Sequence, residues 1–261
     1  MLTLLQSIRN WRERRILRRS SLPASAWQAT LDHLPVLQRL DDSQRLGLQR
    51  LAILFLHEKV IEGAHGLAIT HAMQTTIALQ ACLPILNLGL RWYDGWSTVI
   101  VYPAGFVPQR LVMDEYGVEH LVREHLSGEA WEQGPLILSW EDTAAAGVPD
   151  GHNLVIHEFA HKLDMQNGVA NGFPPLHGGM SRSEWESVFR QAYADFQTRC
   201  AQGQALGIDC YAAESPAEFF AVFSEVFFEK PEILLRHYPV VYAQLVRFYK
   251  QDPGQSALGT A

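Results

Sequence analysis

Cysteine is scarce. The 261-residue chain holds three, Cys82, Cys200 and Cys210, in no C-x-x-C pair, an odd and sparse set of the kind a reducing compartment permits. The expectation is three buried thiols. Basic excess is also missing: Lys+Arg 21 against Asp+Glu 28 gives a net charge of −7, which argues against broad, direct nucleic-acid binding because phosphate neutralisation needs a basic surface. Only 19% of residues are charged and 48% are hydrophobic, too apolar for a disordered chain. No internal repeat and no low-complexity run is present. Nor is there a secretory pattern: Met1–Ile8 is uncharged and only then do the basic residues begin, the reverse of a signal peptide. Export is therefore not expected, and the cytoplasm is the expected compartment.

The segment from Gly66 to Leu90 lacks Asp, Glu, Lys and Arg altogether. It carries His71, Gln74, Thr75, Thr76, Gln80, Pro84 and Asn87, too polar for a membrane span, and reads as a buried core helix over Thr70–Leu83. Charge is unevenly placed. Six arginines against Glu13 alone give residues 1–19 a net charge of +5 and leave −12 for the rest. With Leu2, Leu5, Ile8 and Trp11 at helical spacing, this start reads as a basic amphipathic helix. A solvated helix packed on the domain and a helix lying on anionic lipid are both open readings.

What is present falls into three stretches. After Pro23 and Pro35, Asp41-Asp42-Ser43 caps a helix whose Leu46, Leu51, Leu54 and Phe55 share a face. Trp96–Tyr102, Arg110–Met113 and Leu136–Trp140 are short, β-branched or aromatic-rich, and bounded by Gly or Pro, as strands are. From Asn153 the helical period returns, stops at Asn167-Gly168, and resumes near Arg182–Gln197, Pro216–Phe228 and Pro239–Tyr249. Helices, a small sheet and helices again predict an α+β fold. The expectation is a single compact domain over 1–261: a helical N-terminal part over 1–90, a second part over 91–250 that holds the sheet and the later helices, and a disordered tail over 251–261.

The chemistry concentrates in His157-Glu158-Phe159-Ala160-His161. Residues four apart on a helix lie one above the other, so both imidazoles can reach one Zn²⁺ while Glu158 stands beside a metal-bound water. A shuffled chain of this composition would carry H-E-x-x-H about 3% of the time, and the apolar helical setting lowers that further. Catalytic zinc takes a third protein ligand. The metzincin spacing fails, because Asp164 and Asn167 stand where its Gly and His would be. A downstream glutamate remains: Glu184, Glu186, Glu214, Glu218 or Glu225. Glu184 and Glu186 flank Trp185 in an amphipathic pattern and read as solvated. Glu218 is ambiguous, since Ser215-x-x-Glu218 is also a capping box in which the carboxylate folds back on the Ser215 amide. Glu225 lies seven residues on, on the same helix face, as a ligand or as a partner of one.

Asn153–Asp164, Gly134–Trp140 and Ser215–Phe228 together resemble the Mlc titration factor A family of bacterial zinc peptidases, over nearly the whole chain. The catalytic half is similar to the anthrax lethal factor protease domain, in which His-Glu-Phe-x-His is followed by a tyrosine and, seven residues later, a Glu-Phe-Phe ligand. That likeness implies a zincin-like fold, one Zn²⁺ held by His157, His161 and Glu218, Glu158 as catalytic base and Tyr211 as a catalytic helper. The alternative for Tyr211 is an ordinary amphipathic residue at a helix boundary. The chain departs from lethal factor at Val222, where that sequence has an acid. The resemblance further implies aminopeptidase-type activity on peptides and binding of the glucose repressor Mlc. Two questions stay open: whether Leu136–Trp140 is an edge strand that pairs with substrate or a core strand, and whether the protein is instead a non-catalytic regulator that sequesters a transcription repressor.

Overall fold

The computed structural model describes residues 2–105, 109–113, 119–123, 128–130 and 134–258, with the side chains of 2–5, 109–113, 119–123, 129 and 256–258 outside the described set. The expected contributions of Leu2, Leu5 and the Arg110–Met113 side chains, and residues 259–261 of the expected tail, therefore lie outside it.

Helix α1 (Leu2–Arg19) leads to α2 (Ala24–His33), α3 (Pro35–Gln38) and α4 (Asp42–Glu58). Asp41 caps α4 in a complete capping box with Gln44, which satisfies otherwise unpaired amides at the helix start. The buried face of α4 is Leu48, Ala52 and Phe55 with Ile53 and Leu54, whereas Leu46 is 58% exposed. This corrects the expected face, because Leu46 lies off the arc that Leu48, Ala52 and Phe55 share. α1 differs too. Ile16 and Leu17 pack against the core, while Ile8 and Trp11 point outward.

Strand β1 (Val60–Gly63) follows, then α5 (His71–Cys82), β2 (Thr98–Tyr102), β3 (Gln109–Met113), β4 (Glu119–Arg123), β5 (Gly128–Ala130) and β6 (Leu136–Ser139). The main sheet has the order β1-β2-β6-β5, with β1, β2 and β6 parallel and β5 antiparallel to β6. β3 and β4 form a separate antiparallel pair. The small mixed sheet with helices around it is the expected α+β zincin-like arrangement. Thr70 caps α5, whose face from Ile77 to Cys82 is buried. No helix among the described residues is long and apolar enough to cross a membrane.

The second half is helical: α6 (Trp140–Ala145), α7 (Leu154–Asp164), α8 (Arg182–Ala201), α9 (Pro216–Glu229), α10 (Pro231–His237), α11 (Pro239–Tyr249) and α12 (Pro253–Leu258). The chain does not turn irregular at Gln251. That side chain is buried and donates to Leu83 O at 2.9 Å, satisfying the end of α5 before α12 begins.

The cysteines also depart from expectation. Only Cys82 is a buried thiol. α8 runs to Ala201, and the chain turns back through Gly203 and Gly207, both at positive φ. The return sets the Cα atoms of Cys200 and Cys210 5.8 Å apart and joins the two as a disulfide.

Candidate metal centre

Two helices, α7 and α9, carry the site, and apolar packing fixes each from behind. Phe159, in the middle of the His157–His161 motif, lies 5.0 Å from Tyr93, and 5.7 Å from Phe55 and Trp96, between ring centroids. On α9, Phe219, Phe220 and Phe223 pack on Trp185, Phe189 and Phe196 of α8. Asn153 starts α7 by accepting from Ile156 N at 3.0 Å, and Ser215 starts α9 by accepting from Glu218 N at 3.1 Å. Ser215 is thus a cap, but the Glu218 carboxylate turns toward the histidines, which resolves the capping alternative.

His157 Nε2 and His161 Nε2 stand 3.1 Å apart. Glu218 Oε2 is 3.0 Å from the first and 3.3 Å from the second. Ligand atoms about 2.0–2.1 Å from a tetrahedral metal are roughly 3.3 Å apart, so this triangle has the size that a single ion requires. Two nitrogens and one carboxylate oxygen form the donor set of metal sites that keep a position open. The three side chains are the group of metal-capable residues found among the described residues.

Electrostatics favour a cation at this point. Burial lowers the affinity of the His157 ring for a proton, but Glu225 and Glu218 outweigh it and hold the pKa well above the usual histidine value. Burial likewise raises Glu218, yet the two imidazoles bring it down to about 2. Glu158 is 4% exposed, and burial, opposed by the two imidazoles, raises its carboxyl. Its Oε2 is buried without a hydrogen-bond partner among the described residues.

Behind the triangle, Glu225 Oε1 meets His157 Nδ1 at 2.7 Å, and its other oxygen accepts from Asn153 N at 2.6 Å. Glu225 is therefore the orienting partner of a ring, not a fourth member of the triangle. Asn153 Nδ2 in turn donates to Glu229 Oε1 at 3.0 Å. Asn153 and Glu229 escaped the sequence reading; the N-cap asparagine was the available signal. Glu184 pairs with Arg247 at 3.1 Å and Glu186 with Arg190, while Glu214 is exposed. None of the three joins the triangle.

A cavity of about 490 Å³ opens beside the motif, lined by Gly128, Asp142, His157, Glu158, Tyr211 and Val222 among others. The Tyr211 ring is 6.2 Å from His157 and 41% exposed, on the turn Cys210–Ala213 that Asp209 caps. β6 is hydrogen-bonded on both sides, to β2 and β5, so of the two open readings of Leu136–Trp140 the interior strand is the one observed for Leu136–Ser139. Among the described residues, the strand that ends the sheet beside the cavity is β5. Val222 is buried at 2% exposure and lines the cavity.

Comparison with known proteins agrees with this geometry. The model of the glucose-regulated metallo-peptidase M90 family matches residues 8–250. Mlc titration factor A of Serratia proteamaculans (strain 568) is 41% identical over 230 residues, covering 87% of each chain. The protein of the same name from Yersinia pestis (strain Pestoides F) is 39% identical over 230 residues, covering 87% of this chain and 84% of its own. The chain belongs to the M90 family of glucose-regulated metallo-peptidases.

Proposed function

We propose that this protein hydrolyses peptide bonds with Zn²⁺ held by His157, His161 and Glu218, and Glu158 as the base. The observation that carries the reading is the triangle of 3.0, 3.1 and 3.3 Å between their donor atoms, with a buried carboxylate oxygen of Glu158 beside it that has no hydrogen-bond partner among the described residues. Bound zinc supplies a Lewis acid that lowers the pKa of water and polarises a carbonyl. Glu158, buried beside the two imidazoles, takes the proton of the attacking water and returns it to the leaving amine. Glu225 holds the His157 ring in orientation through Nδ1. The Tyr211 hydroxyl donates to the carbonyl oxygen as negative charge develops there, an interaction stronger in the transition state than in the ground state.

A peptide lies extended along β5 with its scissile bond over Glu158, main chain pairing with main chain. The cavity has room for a few residues of a peptide, and aminopeptidase-type trimming of short peptides is part of the proposal. The relatives' name, Mlc titration factor A, supports a link to the repressor Mlc and keeps a second reading in view, sequestration of a repressor without catalysis. A cytoplasmic setting is part of the proposal; the Cys200–Cys210 cross-link weighs against it.

Glu158→Gln separates the readings. Metal content should persist while hydrolysis of peptide p-nitroanilides falls by about 10²–10⁴-fold. Metal retained with unchanged hydrolysis removes Glu158 from the mechanism, and repressor binding retained by the inactive variant places binding apart from catalysis.

A further inference from the structure

Helix α1 is packed on one side and open on the other. At about 100° per residue, Arg9, Glu13, Ile16 and Leu17 share an arc, with Ser20 just past the helix end on the same side, and this arc meets the protein. Ile16 and Leu17 lie on the core, Arg9 pairs with Asp94 at 3.5 Å, and Ser20 Oγ is hydrogen-bonded to His57 Nε2 at 2.8 Å. The opposite arc, about 120° wide by the same spacing, carries Arg18, Trp11, Arg15, Ile8, Arg19 and Arg12 in angular order. All six are exposed, Ile8 at 55% and Trp11 at 57%. The Arg15 guanidinium sits 5.5 Å from the Trp11 ring centroid. None of these four arginines is ion-paired among the described residues.

We propose that this face of α1 docks on an anionic lipid surface, holding the protein at a membrane without spanning it. Three observations favour lipid over the other occupants. First, the two apolar side chains lie inside the arc with arginines on both flanks, so Trp11 and Ile8 enter between headgroups while guanidiniums meet phosphates. Second, the face is the convex ridge of a single helix, which a plane accommodates as it stands and a folded protein meets only with a matching groove. Third, residues 1–19 hold a charge of +5 while the remainder holds −12, so attraction to an anionic leaflet is confined to this helix and fixes one orientation. Peripheral contact is consistent with the absence, among the described residues, of a helix able to cross a bilayer.

The test is co-sedimentation of the full-length protein with vesicles of phosphatidylcholine alone and of phosphatidylcholine with phosphatidylglycerol, at low and high salt. Binding to the mixed vesicles at low salt, and its loss at high salt, is expected. Each arginine near an anionic leaflet strengthens partitioning about fivefold, so the triple change Arg12→Gln, Arg15→Gln, Arg19→Gln should weaken it about a hundredfold. Trp11→Ser should weaken it about tenfold by removing the apolar anchor. Circular dichroism confirms that both variants are folded, and the salt series on the unaltered protein tests the claim without them. Salt-independent binding, equal binding to neutral vesicles, no binding to either, or unchanged binding by the triple variant overturns the proposal. So does sedimentation without vesicles showing a dimer that the triple variant dissociates, which would assign the face to a second copy.

Discussion

Gly128 on β5 separates a functional effect from a structural one. A Cβ built there falls 2.3 Å from Glu158 Oε1 and 2.6 Å from its Cδ and Cγ. These contacts are closer than non-bonded atoms allow, so Gly128→Ala must move one partner. The glycine has an extended strand neighbourhood and no left-handed φ, so the backbone itself accepts alanine. The partner that moves is the carboxylate, whose surroundings are closed at 4% exposure. A displacement of about 1 Å in a catalytic group costs on the order of 10²-fold in rate. Overpacking of this kind typically destabilises by about 1–3 kcal/mol. The assay pairs kcat/KM on a peptide p-nitroanilide with metal content and thermal unfolding. The expected result is about a hundredfold loss in kcat with the metal retained and a folded protein. Activity within twofold of the unaltered protein would refute the reasoning, because it would show that Glu158 works without the position drawn here.

Tyr211→Phe should lower kcat about a hundredfold with little change in KM, since the hydroxyl acts on developing charge; an equal kcat would remove Tyr211 from the mechanism. Denatured, unreduced protein should show one thiol, from Cys82, and Cys200→Ser should cost about 2–3 kcal/mol by freeing a loop of ten residues' separation; three thiols would refute the cross-link. Glu229 is 1% exposed, and burial pushes its carboxyl up to about 7, helped by Asp150 and Glu225 against Asn153 and Arg39. The folded protein then keeps a proton that the unfolded chain loses above about 4.5, so stability falls as pH rises from about 4.5 to about 7, by about 3 kcal/mol. Glu229→Gln should flatten that slope in denaturant titrations; an unchanged slope would contradict it.

The paired histidines were legible because their spacing is itself the geometry: one helical turn puts both rings on one face. Glu218 was not, because its partners are 57 and 61 residues away and its local pattern has a second meaning. Ser215 does cap the helix, yet that fixes only the backbone and leaves the carboxylate to a neighbour the local pattern does not specify. Family resemblance points to Glu218 as a ligand where periodicity leaves the two readings open. Asn153 and Glu229 were invisible for a similar reason, as each looks like an ordinary polar residue until α7 and α9 are laid together. β1 went unread because Val60-Ile-Glu-Gly follows α4 closely and buries only Ile61, too short an alternation to stand out. The cross-link left no trace in spacing, since only the turn after α8 brings Cys210 back to Cys200. Trp11 and Ile8 form an apolar stripe in the sequence whose side the sequence does not specify. Composition does not say which arc of a helix meets the core.

The most direct measurement is the stoichiometry of metal in the purified protein, by elemental analysis, before chelation, after it and after zinc is added back, beside Glu218→Gln treated in the same way. One zinc per chain, lost and regained together with peptide hydrolysis, and a variant that fails to hold the ion, are the predicted results. A chain that hydrolyses peptides with no stoichiometric metal, or a Glu218→Gln variant that binds zinc as tightly as the unaltered protein, would contradict the assignment of these three residues.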